Sequence, residues 1–256
     1  VSARLLVVAG HDPGGGAGVA ADREAAARFG VDAHCVVTAW TDQANGRVRA
    51  VGARPAAEWA SEAERALAAA PFPFGALKSG LLPDADAVRA LAALCERFAS
   101  AGRPVVVDPV LAASGGEPFL DEAGVECLRS ELIPRAVVLT PNLIELARLG
   151  HADPDRLAGD RGARVEAARQ LLEAGARAVL VKAGHGEGPA DDLLVEAGRP
   201  PRWFTRPRVP GAALHGSGCR HASALAAHLA HGATLESAAL GAARYLADLL
   251  ASGGGG

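Results

Sequence analysis

Val105-Val106-Val107-Asp108-Pro109 is a run of three β-branched residues that stops on a carboxylate and a proline. A strand with one solvated face alternates apolar and polar residues. This run is apolar at every position, the pattern of a parallel strand covered by helices on both faces. Outward from it, similar short runs recur at 5–9, 33–38, 76–78, 137–140 and 178–182. Longer segments with helical spacing of apolar residues separate them. The alternation predicts an α/β fold with a mainly parallel, doubly wound central sheet and helices on both faces. One domain over 1–256 is expected, with residues 252–256 (Ser-Gly-Gly-Gly-Gly) as a disordered tail and no internal repeat.

In such sheets ligands collect beyond the carboxyl ends of the strands. The residues there are Gly10-His11-Asp12, Lys78-Ser79-Gly80, Asp108-Pro109, Thr140-Pro141-Asn142 and Lys182-Ala183-Gly184-His185. Between 41 and 53, Asn45-Gly46 is a hairpin turn signal followed by alternation from Arg47 to Val51, which predicts a small flap over the site. Pro55 is placed to start a helix through about Ala69. Gly232 is placed to cap another helix, whose last turn carries His228 and His231 as cations.

With 50% hydrophobic and 21% charged residues in 256, the chain has the composition of a soluble globular protein able to bury one large core. A net charge of -3 without a long basic run argues against a nucleic-acid partner and for a small molecule. Cys35, Cys95, Cys127 and Cys219 form no CxxC pair, so neither structural zinc nor a disulfide framework is indicated. The opening apolar run is too short for a signal-peptide core, and no apolar stretch approaches the ~18–20 residues that span a bilayer. No membrane partner and a cytoplasmic location are the expectation. Only Lys78 and Lys182 are lysines, against 24 arginines. Codon bias explains the excess of arginine, but not why both lysines lie at strand ends two residues before a glycine.

His215-Gly216-Ser217-Gly218-Cys219 precedes the Ala-rich run to His231. Glycines there bare the amides of a helix N-terminus, an anion cradle with a thiol attached. The plain alternative is a tight loop with a small buried cysteine. Arg220 stands in the first turn, where the helix dipole disfavours a cation unless an anion is bound or the side chain turns to solvent. His215 and His221 flank the loop and raise the further idea of a cysteine hydrolase. Gly14-Gly15-Gly16-Ala17-Gly18 follows a strand, but Val19 breaks the G-x-G-x-x-G pattern and neither lysine completes a Walker A sequence. Asn142 and Glu145 lie one helical turn apart, facing one cleft or forming a capping box. Asp108 and Glu145 together suit Mg²⁺ held through its waters.

With these residues assembled, the chain resembles the ribokinase-like superfamily, and within it the hydroxymethylpyrimidine and phosphomethylpyrimidine kinases of thiamine biosynthesis. The likeness spans nearly the whole length. It is carried by Ala9 to Gly18, Ala21-Asp22, Val37-Thr38-Ala39, Gln43, Lys78-Ser79-Gly80-Leu81-Leu82, Asp108-Pro109-Val110, Thr140-Pro141-Asn142-Leu143 with Glu145, Val181-Lys182 and Gly216 to Cys219.

The resemblance implies an ATP- and Mg²⁺-dependent kinase, a homodimer, acting on 4-amino-5-hydroxymethyl-2-methylpyrimidine and its monophosphate. Gly10, Asp12, Ala17, Gln43, Leu81 and Val110 would bind the pyrimidine. Asn142 and Lys182 would bind the nucleotide, and Asp108 and Glu145 the metal. Gly216, Ser217, Gly218 and Cys219 would be catalytic, their amides stabilising the transferring phosphoryl group. Arg220-His221 departs from the family's usual residues after the cysteine. Two further readings stand beside this one: a pyridoxal kinase, and a catalytically weak pyrimidine sensor with Arg220 in the cradle. For the kinase, the helix terminus is expected to lower the Cys219 pKa, and loss of Cys219 to slow the first phosphorylation more than the second.

Overall fold

Among the described residues, nine strands make one sheet in the order β3-β2-β1-β4-β5-β6-β7-β8-β9. The computed structural model describes residues 3–44, 47–70, 73–113, 115–182, 190–208 and 214–253, the side chains of residues 43, 44 and 47 excepted. The strands are β1 (Arg4–His11), β2 (Asp32–Ala44), β3 (Arg47–Ala53), β4 (Ala76–Ser79), β5 (Val105–Val107), β6 (Val138–Leu139), β7 (Ala178–Val181), β8 (Ala190–Glu196) and β9 (Arg202–Arg206). Strands β2, β1, β4, β5, β6 and β7 are parallel, while β3, β8 and β9 join antiparallel at the two edges. The mainly parallel sheet expected from the apolar runs is present.

Side chains alternate between two buried layers. Leu6, Val8, Leu77, Val105, Val107, Val179 and Val181 pack in the layer under α2 (Ala56–Ala69), α3 (Ala85–Ser100), α4 (Glu122–Cys127), α5 (Leu143–Leu149), α6 (Pro154–Gly159) and α7 (Arg161–Glu173). Leu5, Val7, Ala9, Ala76, Val106, Val138, Ala178 and Leu180 pack in the other, under α1 (Gly18–Arg28), α8 (Ser217–Ala230) and α9 (Leu235–Ala251). The second layer is built largely from alanine. Ala222, Ala224, Ala226 and Ala227 of α8 and Ala238, Ala239 and Ala242 of α9 let these helices lie close to the sheet and to each other.

Strand β2 continues into an antiparallel pairing with β3, as the hairpin signal predicts, although Asn45-Gly46 lies outside the described residues. Pro55 is the N-cap of α2. Gly232, at φ 82°, follows the α8 C-cap His231. The expected cation at His228 is corrected. Its ring lies 4.5 Å from that of Phe29, and burial, then His231, lowers its pKa from the ordinary histidine value. Helix α9 ends at Ala251, and residues 254–256 of the expected tail lie outside the described residues.

Candidate active site

Helix α8 begins at the glycine-rich segment. Its N-cap Gly216 has φ 74°, and a Cβ there would stand 2.2 Å from Gly16 O. Only glycine allows the two glycine loops to touch. Ser217 N–H donates to Leu214 O and Arg220 N–H to Gly216 O. This takes the Ser217 amide out of the expected donor set and leaves Gly218 and Cys219 as the first-turn amides without an intrahelical acceptor. A Cβ on Gly218 would lie 3.2 Å from Lys182 Nζ, so the cradle and the lysine share one wall.

Lys182 follows β7 and bridges to Asn142 after β6. Its ammonium donates to Asp108 Oδ1 at 2.5 Å, and Thr140 Oγ1 donates to the same oxygen at 3.1 Å. Burial works against the charged Lys182, but Asp108 and then Glu145 outweigh it and hold its pKa above the ordinary lysine range. Asn142 and Glu145 form a capping box at the start of α5. The Asn142 side chain accepts from Glu145 N at 2.9 Å, and Glu145 Oε2 accepts from Asn142 N at 2.8 Å. Each side chain therefore holds the other residue's backbone amide, and Glu145 also acts on Lys182. Burial, only partly offset by Lys182, pushes the Glu145 carboxyl up to about 7.

On the other side, Gly10 closes β1 against Leu81: a Cβ at Gly10 would stand 3.2 Å from Leu81 Cβ. The buried Thr38 hydroxyl donates to Leu81 O at 2.7 Å. Asp12 is buried and its carboxylate accepts from Gly14 N at 2.9 Å, Ala17 N at 3.0 Å and contacts His215 Nε2 at 3.0 Å. Its oxygens organise the loop and tie it to the cradle. Ala17 is the N-cap of α1, and Val110 N donates back to Asp108 O, which fixes the turn after β5. Gln43 lies on β2, its side chain outside the described residues, as are Ser114 and residues 183–189 and 209–213.

Cys219 occupies the third position of α8, against the start of α1. Its expected low pKa is corrected: burial pushes the thiol up to about 11, although Lys78 opposes this and the Gly18 amide favours the thiolate. Desolvation wins because the half-buried thiol sits against the starts of two helices.

Arg220 does not turn to solvent, and the anion it meets is a carboxylate of the protein itself. It is buried and donates to Gly16 O at 2.6 Å, His215 O at 2.9 Å and the Glu24 carboxylate at 2.7 Å. The guanidinium thus staples α8 to α1 and the glycine loop, which leaves the cradle clear. His215 is engaged with Asp12, and the buried His221 Nε2 lies 3.4 Å from Asp192 Oδ2. Neither is placed as the base of a cysteine hydrolase.

Amides at a helix start facing a fixed lysine hold phosphate oxygens well. At the carboxyl edge of a doubly wound sheet, they are the arrangement of a phosphotransferase. Residues 12–254 match the family model described as phosphomethylpyrimidine kinase, and the chain belongs to that family. A thiamine biosynthesis bifunctional protein of Geobacter sulfurreducens is 37% identical over 94% of this chain, which spans 48% of that protein. A hydroxymethylpyrimidine/phosphomethylpyrimidine kinase of Streptomyces coelicolor is 36% identical over 97% of this chain and 89% of its own. Among solved structures, an ADP complex of Bacillus subtilis pyridoxal kinase superposes with TM-score 0.81 at 27% identity, covering 96% of this chain and 90% of that one. The fold is that of the ribokinase-like kinases, and the protein is a kinase enzyme. No helix among the described residues is long and apolar enough to cross a membrane.

Proposed function

We propose that the protein transfers the γ-phosphoryl group of ATP to 4-amino-5-hydroxymethyl-2-methylpyrimidine and then to its monophosphate. The reading is carried by one observation: the Gly218 position and Lys182 Nζ meet at one wall, and the same helix start touches the glycine loop at Gly16. In this reading the Gly218 and Cys219 amides and Lys182 bind the transferring phosphoryl oxygens, with Asn142 on the nucleotide side. Gly10, Ala17, Leu81, Val110 and Gln43 line the pyrimidine pocket, and Asp12 sets the loop's shape instead of touching substrate. Most of the rate enhancement comes from positioning and fixed positive charge.

Two carboxylates near one phosphate site suit Mg²⁺, which keeps several waters and shares phosphate oxygens. Among the described residues no group of three or more His, Cys, Asp or Glu side chains is placed to hold a metal. Asp108 and Glu145 fit as outer carboxylates holding the ion through its waters, and the ion supplies charge neutralisation on the phosphates. A homodimer, one kinase domain over the chain and a reducing, cytoplasmic compartment complete the reading. The four free thiols support the last of these.

The first phosphorylation removes a hydroxyl proton, whereas the second uses a phosphate oxygen already ionised. Cys219 is the proton acceptor for the first step, and only its thiolate serves. A thiol at about 11 gains thiolate about tenfold per pH unit below that value. The first-step rate should therefore rise roughly tenfold per unit between pH 7 and 9, while the second stays within about twofold. A flat first-step profile in single-turnover measurements contradicts this role for Cys219.

Pyridoxal kinase is the rival reading, favoured by the structural likeness to an enzyme of that name. The two are separated by incubating the protein with Mg-ATP and each of hydroxymethylpyrimidine, its monophosphate and pyridoxal, with products identified by mass spectrometry. Turnover of both pyrimidines with a higher specificity constant than pyridoxal is expected; a preference for pyridoxal overturns the substrate assignment. The sensor reading loses its basis, because Arg220 is occupied by Gly16 O, His215 O and Glu24.

A further inference from the structure

Lys78 stands between apolar neighbours on the sheet. It lies on β4 between Val7 and Val106 in register, and both valines are fully buried in the layer under α1 and α8. A valine would continue the pattern. Instead Lys78 is 0% exposed and donates to Asp22 Oδ1 of α1 at 2.7 Å, with Asp22 also 0% exposed. Ser223 Oγ of α8 donates to the same oxygen at 2.7 Å. Asp22 Oδ2 is buried without a hydrogen-bond partner. A fully buried ion pair with an unsatisfied oxygen is less favourable than apolar residues of the same volume, so stability alone does not account for it.

Its position does. Ser223 is four residues after Cys219, one turn along the same face of α8. A Cβ on Gly80 would stand 3.2 Å from Lys78 Nζ, which places the ammonium at the carboxyl edge of the sheet, where the cradle lies. The same layer carries Asp108 and Lys182 at its edge, so the charged groups acting on the thiol are Lys78, Asp22, Asp108 and Lys182. Lys78 favours the thiolate, and Asp22 opposes it.

Building on the proposed role of Cys219, we infer that Lys78, clamped by Asp22 and Ser223, is a positioning residue for that thiol. It sets a fixed positive charge beneath the sulfur and ties the first turns of α8 to β4 and α1. When the acceptor hydroxyl gives its proton to the thiolate, its oxygen bonds to the γ-phosphorus and the bond to the bridging oxygen of ATP breaks, releasing ADP. Lys78 favours the thiolate that starts this step and takes no proton itself.

The test reads the thiol directly, without relying on turnover. Iodoacetamide alkylation of Cys219 at pH 8.5 is followed by peptide mapping in the wild type, Lys78→Met and the double variant Lys78→Met with Asp22→Leu. The double variant replaces both charges with apolar groups and keeps the test open if the single variant does not fold. Alkylation is expected to slow about tenfold in Lys78→Met, where Asp22 is left facing the thiol, and about threefold in the double variant. The first-step kcat falls in the same order with KM for the pyrimidine unchanged within about twofold. A role in packing alone loosens the helix start and speeds alkylation of a half-buried thiol. A folded double variant that alkylates at or above the wild-type rate overturns the inference. Absence of wild-type turnover counts against the proposed kinase reaction and leaves the alkylation order standing.

Discussion

Lys182→Met is expected to lower kcat with both pyrimidines by about 10²–10³-fold, with pyrimidine affinity nearly unchanged. Lys182 Nζ is the cation beside the Gly218 wall, and its charge is secured by Asp108 and Glu145 despite burial. In the variant, charge developing on the transferring phosphoryl group loses that fixed ammonium. Removing one member of a buried pair also costs about 3–5 kcal/mol, moderated here because Asp108 Oδ1 keeps the Thr140 hydroxyl. ADP formation at saturating ATP, with pyrimidine binding followed by calorimetry well below the melting temperature, checks this. A change confined to KM contradicts it.

Gly216→Ala carries the second large effect. At φ 74° an alanine costs about 1–2 kcal/mol in backbone strain. Beyond that, its Cβ would lie 2.2 Å from Gly16 O, so the cradle and the glycine loop must separate. A displacement of about 1 Å at reacting groups lowers turnover about 10²-fold, and both phosphorylations should lose that much. Gly232→Ala is the matched control. It has φ 82° but nothing within 4 Å of the added Cβ, so it should lower the melting temperature by a similar strain and leave kcat intact. Equal activity losses in the two variants contradict a specific role for the Gly216–Gly16 contact.

The parallel core was legible because both-face burial leaves a plain mark: runs such as Val105 to Val107 become strands with hardly a shift of boundary. At the edges, β3 was legible from the hairpin signal, whereas β8 and β9 were not. In β8, Asp191-Asp192 breaks any apolar pattern, and the carboxylates are met by Arg161 of α7 and by Arg206 of the neighbouring strand β9. Among site residues, the cradle, Lys182 and Asp108 were visible because glycines, the scarcity of lysine and strand-end placement point the same way. The Asn142–Glu145 spacing fitted both a cleft and a capping box, and the structure realises the box.

Three features depended on tertiary placement and had no local sign. The Cys219 pKa follows from burial between two helix starts, which overrides the helix dipole. Arg220 finds its partners some two hundred residues earlier, at Gly16 and Glu24. Lys78 and Asp22 were present in the resemblance without a role, because their pairing requires β4, α1 and α8 to converge. The scarcity of lysine was the one signal that singled out Lys78.

Quench-flow single turnovers of both phosphorylations, in wild type and Cys219→Ala, test most directly whether this thiol is the proton acceptor in the proposed kinase. The first step, from the hydroxymethyl group, is predicted to slow by about 10²–10⁴-fold, and the second, onto an ionised phosphate, by less than about tenfold. Equal losses in the two steps contradict the assignment and leave Cys219 as part of the cradle alone.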